Sequence, residues 1–412
     1  MRSAQSLGSN MVWNSIGLLF YFGCQWLLTV FVVYFKGSYT DAGILSLAMS
    51  LANVLTMVAS LNLRTFQVSE LEGRFSDGDF LCNRALASGA ALILCIFVVI
   101  YKGYSRYEGL CIFAFMLFKV SEALGDVFHG MDQKVWRLDI AGKSFLLRGC
   151  VTLLSICCGM LLNGNLLLTI CLMTVLSYFV IFGYDFQQCK KQIQPDFSHH
   201  QGRVLALVKI GFPLALYSML LNLIATYPRF QIEEQYGKEL LGIFASIATP
   251  TVLITQLASF IFSPLMGVFA ECRKEHDRKK LYKLLLLCVG GIAVIGIISL
   301  IAGRILGKWV LVLLFGESIG DYSYLLTPII CTAILTAAIW LLCGLLTVFK
   351  DYYVLAVLTL VSLMFCMLAS TPFIAEKQLL GAALALLGAL IIEALLLMIR
   401  LFYLLRQEKM LV

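Results

Sequence analysis

Five polar or ionisable side chains follow one another at helical spacing, three inside an apolar stretch of the sequence and two just beyond its end. They are Lys119, Glu122, Asp126, His129 and Gln133. Spacings of three and four residues place all five on one face of a helix. That face offers an ammonium group, two carboxylates and an imidazole. Two interpretations are open: a structural ion pair, for which Lys119 and Glu122 are correctly spaced, or a surface that contacts a polar ligand.

Three arginines and one glutamate lie inside or just beyond other apolar stretches: Arg64, Arg148, Arg229 and Glu393. An arginine fork binds a phosphate or pyrophosphate through two parallel hydrogen bonds. The competing interpretation for Arg64 and Arg148 is that they anchor helix ends at a membrane surface. For Arg229 the two interpretations are evenly balanced.

Catalytic patterns are not found in the sequence. None of the four His residues lies in the middle of an apolar stretch, and Gly-x-Ser-x-Gly, His-Glu-x-x-His and Walker A motifs are missing. His199 and His200 have no Cys or His partner at metal-ligand spacing. The sequence therefore predicts a protein that is not an enzyme and that uses neither a cofactor nor a metal.

The composition is that of an integral membrane protein. Hydrophobic residues make up 60% of the chain and charged residues 13%, against roughly 45–50% and about 25% in soluble domains. A spanning helix needs about 20 mostly apolar residues. Windows of that length predict an all-α integral membrane protein with about twelve transmembrane helices, at 11–35, 42–61, 86–101, 109–128, 144–162, 166–184, 206–227, 242–263, 284–303, 324–348, 353–370 and 379–405.

The loop charges predict an orientation. With a cytoplasmic N-terminus, most of the 31 Lys and Arg residues fall in the inner loops, as the positive-inside rule requires. Both termini are then cytoplasmic. The inner loops also account for the net charge of +7, so nucleic acid is not an expected partner.

Ionisable residues inside a span are costly, at about 2.5–3.5 kcal/mol each on insertion scales, and mark functional sites by default. The fourth predicted span carries three of them. The residues predicted to form a substrate cavity or gate are Lys119, Glu122, Asp126, Arg148, Arg229 and Arg64.

A weak internal repeat divides the chain in two. The segments 34–45 and 234–244 each place a Gly-containing outer turn between two apolar helices. Both halves then enter the membrane from the same side, which predicts two six-helix bundles, 1–190 and 191–412, related by a pseudo-twofold axis along the membrane normal. Two such bundles enclose a central cavity and alternate its access, so the pattern favours a transporter over a channel or an enzyme.

Three motifs carry a resemblance to a known family. They are LRTFQVSE at 63–70, KVSE at 119–122 followed by Asp126, and GFPL at 211–214 followed by PRF at 228–230. With the number of spans, they make the chain resemble a bacterial polysaccharide flippase of the multidrug/oligosaccharidyl-lipid/polysaccharide (MOP) exporter superfamily. The resemblance implies that the chain flips an undecaprenyl-pyrophosphate-linked oligosaccharide from the cytoplasmic to the outer leaflet, for capsule, O-antigen or teichoic-acid synthesis.

The resemblance also implies partners and a location. The expected partners are the polyprenyl-pyrophosphate-linked glycan, membrane lipids and glycan polymerase machinery, and the expected location is the bacterial cytoplasmic membrane. Two alternatives stay open. One is a multidrug or cation antiporter of the same superfamily, for which Glu122 and Asp126 are the nearest fits to an acidic site. The other is a membrane-embedded glycan polymerase or acyltransferase.

Overall fold

The computed structural model describes residues 7–36, 39–70, 73–161, 164–192, 196, 198, 200–262, 265–275, 277–349 and 351–410. In these ranges the chain is helical and contains no strand. Its fifteen α-helices are α1 (Leu7–Lys36), α2 (Tyr39–Ser60), α3 (Arg64–Ser69), α4 (Asp77–Lys102), α5 (Arg106–Lys134), α6 (Leu138–Ile156), α7 (Leu166–Val180), α8 (Phe186–Gln192), α9 (Gln201–Tyr236), α10 (Lys238–Ala248), α11 (Val252–Phe262), α12 (Met266–Lys274), α13 (Arg278–Phe315), α14 (Leu326–Val348) and α15 (Tyr352–Met410).

Local sequence signals explain several helix ends. Ser76 and Ser105 begin α4 and α5 with capping boxes, in which each serine and the acidic residue three positions later satisfy each other's backbone N–H groups. Gly103 ends α4 in the left-handed conformation, with φ of 67°. Short π-helical segments continue α6 at Cys157–Leu161 and α7 at Ile181–Asp185.

The predicted all-α membrane architecture is confirmed. Ten helices in the described part of the chain are long and apolar enough to cross a membrane. The 29-residue α5 is a further spanning helix, although it carries Lys119, Glu122 and Asp126 near its middle. The 59-residue α15 is interrupted at Gln378, where φ is 51° and ψ is −129°, so it comprises two spans. Twelve spans result.

The segment 309–315 does not form an element of its own. It is too short to cross a membrane alone, which predicts an interfacial or re-entrant segment. It forms instead the last two turns of α13, a continuous helix of 38 residues. At a rise of 1.5 Å per residue this helix is about 57 Å long, nearly twice the thickness of the hydrocarbon core.

The contacts divide the chain into an N-terminal unit, Met1–Met219, and a C-terminal unit, Leu220–Val412. The division falls inside α9. The boundary at residue 190, taken from the inner loop between the two halves of the repeat, lies in α8 and stays a prediction of where those halves meet.

Each unit contains a close helix contact at glycine. In the N-terminal unit α1 crosses α6 at Gly17 and Gly142, where a Cβ on Gly17 would lie 2.1 Å from the Gly142 carbonyl oxygen. In the C-terminal unit a Cβ on Gly381 would lie 1.8 Å from the Phe373 carbonyl oxygen, so this glycine permits the bend of α15. Small residues serve this purpose widely in membrane helices.

We predict that Gly142→Leu destabilises the N-terminal unit. The new side chain meets the α1 backbone at Trp13 and Asn14 within 2.7 Å, and overpacking of this kind costs about 1–3 kcal/mol or more. Thermal unfolding in detergent measures the loss. The matched control is Gly89→Leu in α4, because nothing lies within 4 Å of a Cβ at Gly89. Equal melting temperatures for the two variants would contradict the proposed packing.

Candidate functional site

The first part of the site is an ion pair near the middle of α5. Lys119 Nζ lies 2.6 Å from Glu122 Oε2, and the Tyr21 hydroxyl of α1 donates a hydrogen bond to Glu122 Oε1. The rings of Phe115 and Phe118 flank the ammonium group at 5.9 and 5.8 Å. The Lys119 and Glu122 side chains are 17% and 21% exposed, so the pair is neither dry nor fully solvated.

One turn further along α5, Asp126 is shared by two arginines. Arg64 Nη1 of α3 lies 2.9 Å from Asp126 Oδ1, and Arg84 Nη2 of α4 lies 3.3 Å from Oδ2. Gln133 Oε1 accepts a further hydrogen bond from Arg64 Nε at 3.3 Å. The two arginines together with the aspartate that they share, Arg64, Arg84 and Asp126, are called the arginine pair below. The net charge of these three side chains is +1.

The arginine pair is accessible on one side only. Arg84 is 3% exposed and also donates to the Ala59 carbonyl oxygen at 3.4 Å, so it is fixed in the packed part of the unit. The Arg64 and Asp126 side chains are 31% and 29% exposed. A partly exposed guanidinium with surplus positive charge is suited to bind an anion.

Arg148 lies in a different environment. Arg148 Nη2 lies 3.0 Å from Asp185 Oδ2, and the two side chains are 2% and 0% exposed. His129 Nε2 lies 3.7 Å from the other oxygen of Asp185. Gly125 of α5 makes room for the guanidinium, because a Cβ there would lie 1.9 Å from Nη2. In this structure the Arg148 side chain is part of a dry ion pair inside the N-terminal unit.

Two further residues lie in the C-terminal unit. Arg229, in the last third of α9, is partly buried and engaged in polar interactions. Glu393 is 0% exposed, and Thr359 Oγ1 donates a hydrogen bond of 2.7 Å to its Oε1.

The structure therefore brings four of the six predicted residues together along α5: Lys119, Glu122, Asp126 and Arg64. Three residues that pair with predicted site residues were not singled out by the sequence: Arg84 beside Asp126, Tyr21 beside Glu122 and Asp185 beside Arg148. Arg84 looked like an ordinary inner-loop cation, and Asp185 follows the predicted end of its span. Tyr21 is one aromatic residue among many in α1 and carries no signal of its own. In the described ranges no group of three or more His, Cys, Asp or Glu residues is arranged to hold a metal ion.

We predict that breaking the dry ion pair costs far more stability than breaking the exposed one. Asp185→Asn leaves the Arg148 guanidinium buried without its carboxylate, which costs about 3–5 kcal/mol. Glu122→Gln removes a partner from a lysine that water can reach, so its cost is expected to stay near 1 kcal/mol, as for surface pairs. Denaturant or thermal unfolding in detergent compares the two. A larger loss for Glu122→Gln would contradict the distinction.

Comparisons with known proteins agree with this architecture. No family model matches the chain. One curated relative, "Capsular polysaccharide biosynthesis protein CapF" from Staphylococcus aureus, is 25% identical over 370 residues, which cover 88% of this chain and 90% of that protein.

Solved structures with a similar fold are transporters. The lipid II flippase MurJ in an inward closed conformation matches with a TM-score of 0.73 and 13% identity, over 95% of this chain and 87% of that one. The eukaryotic MATE transporter AtDTX14 matches with a TM-score of 0.69 and 11% identity, over 96% and 95% of the two chains. A multidrug resistance MATE family transporter in an inward-facing conformation gives 0.61 and 14%, over 98% and 97%. The chain thus has the same fold as these MATE and MurJ transporters, toward which the resemblance drawn from its sequence points.

Proposed function

We propose that this protein is a membrane transporter that flips an undecaprenyl-pyrophosphate-linked oligosaccharide from the cytoplasmic to the outer leaflet. The observation that carries the proposal is the arginine pair, in which one carboxylate faces two guanidinium groups inside a membrane-embedded unit. The similarity to a capsular polysaccharide biosynthesis protein supports a role in surface glycan synthesis, and the fold supports transport by alternating access.

The chemistry of the cargo fits the arginine pair. A pyrophosphate offers several anionic oxygens, and a guanidinium binds two of them in parallel. Arg64 is the residue able to turn toward such a ligand, because it is partly exposed while Arg84 is fixed. Asp126 then retains Arg84 as its partner. The exchange replaces one anion at Arg64 by another, so no charge is left alone at membrane depth.

Lys119 provides a second cation along the same helix. Its ammonium is held by Glu122 at 2.6 Å in this state. An ammonium is a point charge with three donors and accepts ligands from several directions. We assign to Lys119 a contact with the phosphates or with acidic sugars of the cargo.

The wider role is also a proposal. We place the protein in the bacterial cytoplasmic membrane with both termini cytoplasmic, next to membrane lipids and a glycan polymerase, and assign it no catalytic step. The cation antiporter alternative needs an acidic site free to bind a cation. Glu122 and Asp126 are both engaged by basic side chains here, which favours an anionic cargo instead.

We predict that Lys119→Ala and Arg229→Ala abolish surface glycan while the amount of protein in the membrane stays normal. Each change removes a cation that the sequence predicts to line the cavity or gate and leaves the helix backbone intact. Immunoblotting of surface glycan and of membrane protein provides the two readouts. Lys280→Ala, which removes an exposed cation near the start of α13, serves as the control and should retain glycan. Normal glycan levels in both test variants would contradict the assignment.

A second prediction concerns Arg64 in a purified system. Liposomes containing the protein and a fluorescent polyprenyl-pyrophosphate sugar report flipping through loss of fluorescence to an external quencher. Arg64→Ala should reduce the rate about tenfold or more, because a hydrogen bond to a charged group is worth about 1.5–3 kcal/mol. Arg64→Lys should restore only part of it, since an ammonium cannot bind bidentately. Full activity of Arg64→Ala would exclude Arg64 from cargo binding.

A further inference from the structure

Asp132 is a buried carboxyl group that the transport site does not use. It lies in the last turn of α5 and is 1% exposed. Neither of its carboxylate oxygens has a hydrogen-bond partner among the described residues. A buried carboxylate without donor or cation is so costly that the group holds a proton instead.

The charges around Asp132 also favour its protonated, neutral form. The titratable groups that interact electrostatically with it are Arg64 of α3, Arg137 just before α6, Asp139 in the first turn of α6, Tyr184 and Asp185 of the π-helical segment, and Cys189 of α8. Two of these are carboxylates, which repel a negative charge on Asp132. Two are arginines, and each already binds another acid in this state.

The engagement of Arg137 is the tighter of the two. Its Nε lies 2.7 Å from Asp139 Oδ1 and its Nη2 3.0 Å from Oδ2, which makes a bidentate pair. Hydrogen bonds to that carboxylate raise the pKa of the Arg137 guanidinium above its usual value. Arg64 is held by Asp126 at 2.9 Å. No cation is therefore left over for Asp132.

The turn that carries Arg137 stores strain. It joins α5 to α6, and within it Trp136 adopts a φ of 59°, in the left-handed region that a bulky residue rarely occupies. The Asn10 side chain of α1 holds this conformation by donating to the Trp136 carbonyl oxygen at 2.8 Å. The backbone N–H of Arg137 donates to the Asp132 carbonyl oxygen at 2.9 Å. A movement of the turn therefore changes a hydrogen bond made by Asp132 itself.

We propose that Asp132 is a proton-binding site of the N-terminal unit, which holds one proton in this state and releases it to water when the turn moves Arg137 from Asp139 to Asp132. The ligand is the proton itself. After the exchange Arg137 stabilises the ionised Asp132, and Asp139 keeps Lys143 as its cation, because Lys143 Nζ lies 3.7 Å from Asp139 Oδ2. The site would make the position of the turn depend on the pH of the water that reaches it. This inference goes beyond the proposed function and does not depend on the identity of the cargo.

Infrared difference spectroscopy of the full chain in nanodiscs tests the proposal without any cargo. At neutral pH the wild-type protein should show the C=O stretching band of a protonated carboxylic acid that is missing from Asp132→Asn. Asp351→Asn is the matched control, because Asp351 is ion-paired to Arg400 at 2.6 Å in the other unit, and it should leave the band unchanged. Glu393→Gln identifies any separate band from that buried acid.

A second variant probes the exchange of partners. Asp139→Asn frees Arg137 to pair with Asp132, so the Asp132 band should disappear at neutral pH although the residue is still present. Asp132→Glu, which keeps the acid, should shift the band rather than remove it and covers the case in which Asp132→Asn does not fold. An identical acid band in wild type, Asp132→Asn and Asp132→Glu would overturn the proposal. Retention of the band in Asp139→Asn would overturn the exchange with Arg137.

Discussion

The cost of placing charge in a bilayer governs the N-terminal unit. Each charged side chain in a span costs several kcal/mol unless it is paired or reaches water, and the structure meets this cost in two ways. Arg148 and Asp185 are paired in a dry interior with exposures of 2% and 0%. Lys119 and Glu122 are paired at 17% and 21% exposure, so this pair is only partly packed. The first arrangement fixes helices to one another, whereas the second leaves a cation available for exchange.

Charged residues that look alike in the sequence therefore have different roles, some in holding helices together and others in binding a ligand. Breaking a fully desolvated pair leaves a buried ion, so such a pair persists through any motion of the unit. A partly solvated pair exchanges partners at much lower cost. Because Arg84 is fixed and Arg64 is not, the arginine pair combines a permanent support with a movable ligand-binding group. Asp132 is a buried acid without a partner for either carboxylate oxygen among the described residues, and we propose that a proton takes the place of the cation it lacks.

Much of the fold follows from hydropathy alone. Apolar runs of helical length locate the spans because the bilayer core sets both their length and their composition. The row along α5 was also predictable, since spacings of three and four residues require one face. The continuous course of α13 through residue 315 was not, because Arg304 and Lys308 interrupt the apolar run while the helix continues past them. The Asp185 partner of Arg148 was missed because pairing across helices depends on packing, here on Gly125 and a π-helical segment, and spacing along the chain does not report it.

We propose that the surplus positive charge of the arginine pair binds the pyrophosphate of a lipid-linked cargo. The most direct measurement is the affinity of the purified protein for a short-chain polyprenyl pyrophosphate, compared with the uncharged polyprenol of the same length and repeated at rising ionic strength. We expect saturable binding of the pyrophosphate that weakens as the salt concentration rises. Binding should be lost when Arg64 and Arg84 are both replaced by Gln and Asp126 is left unchanged. Equal affinity for the uncharged polyprenol, or binding of the pyrophosphate that survives the double replacement, would contradict the account.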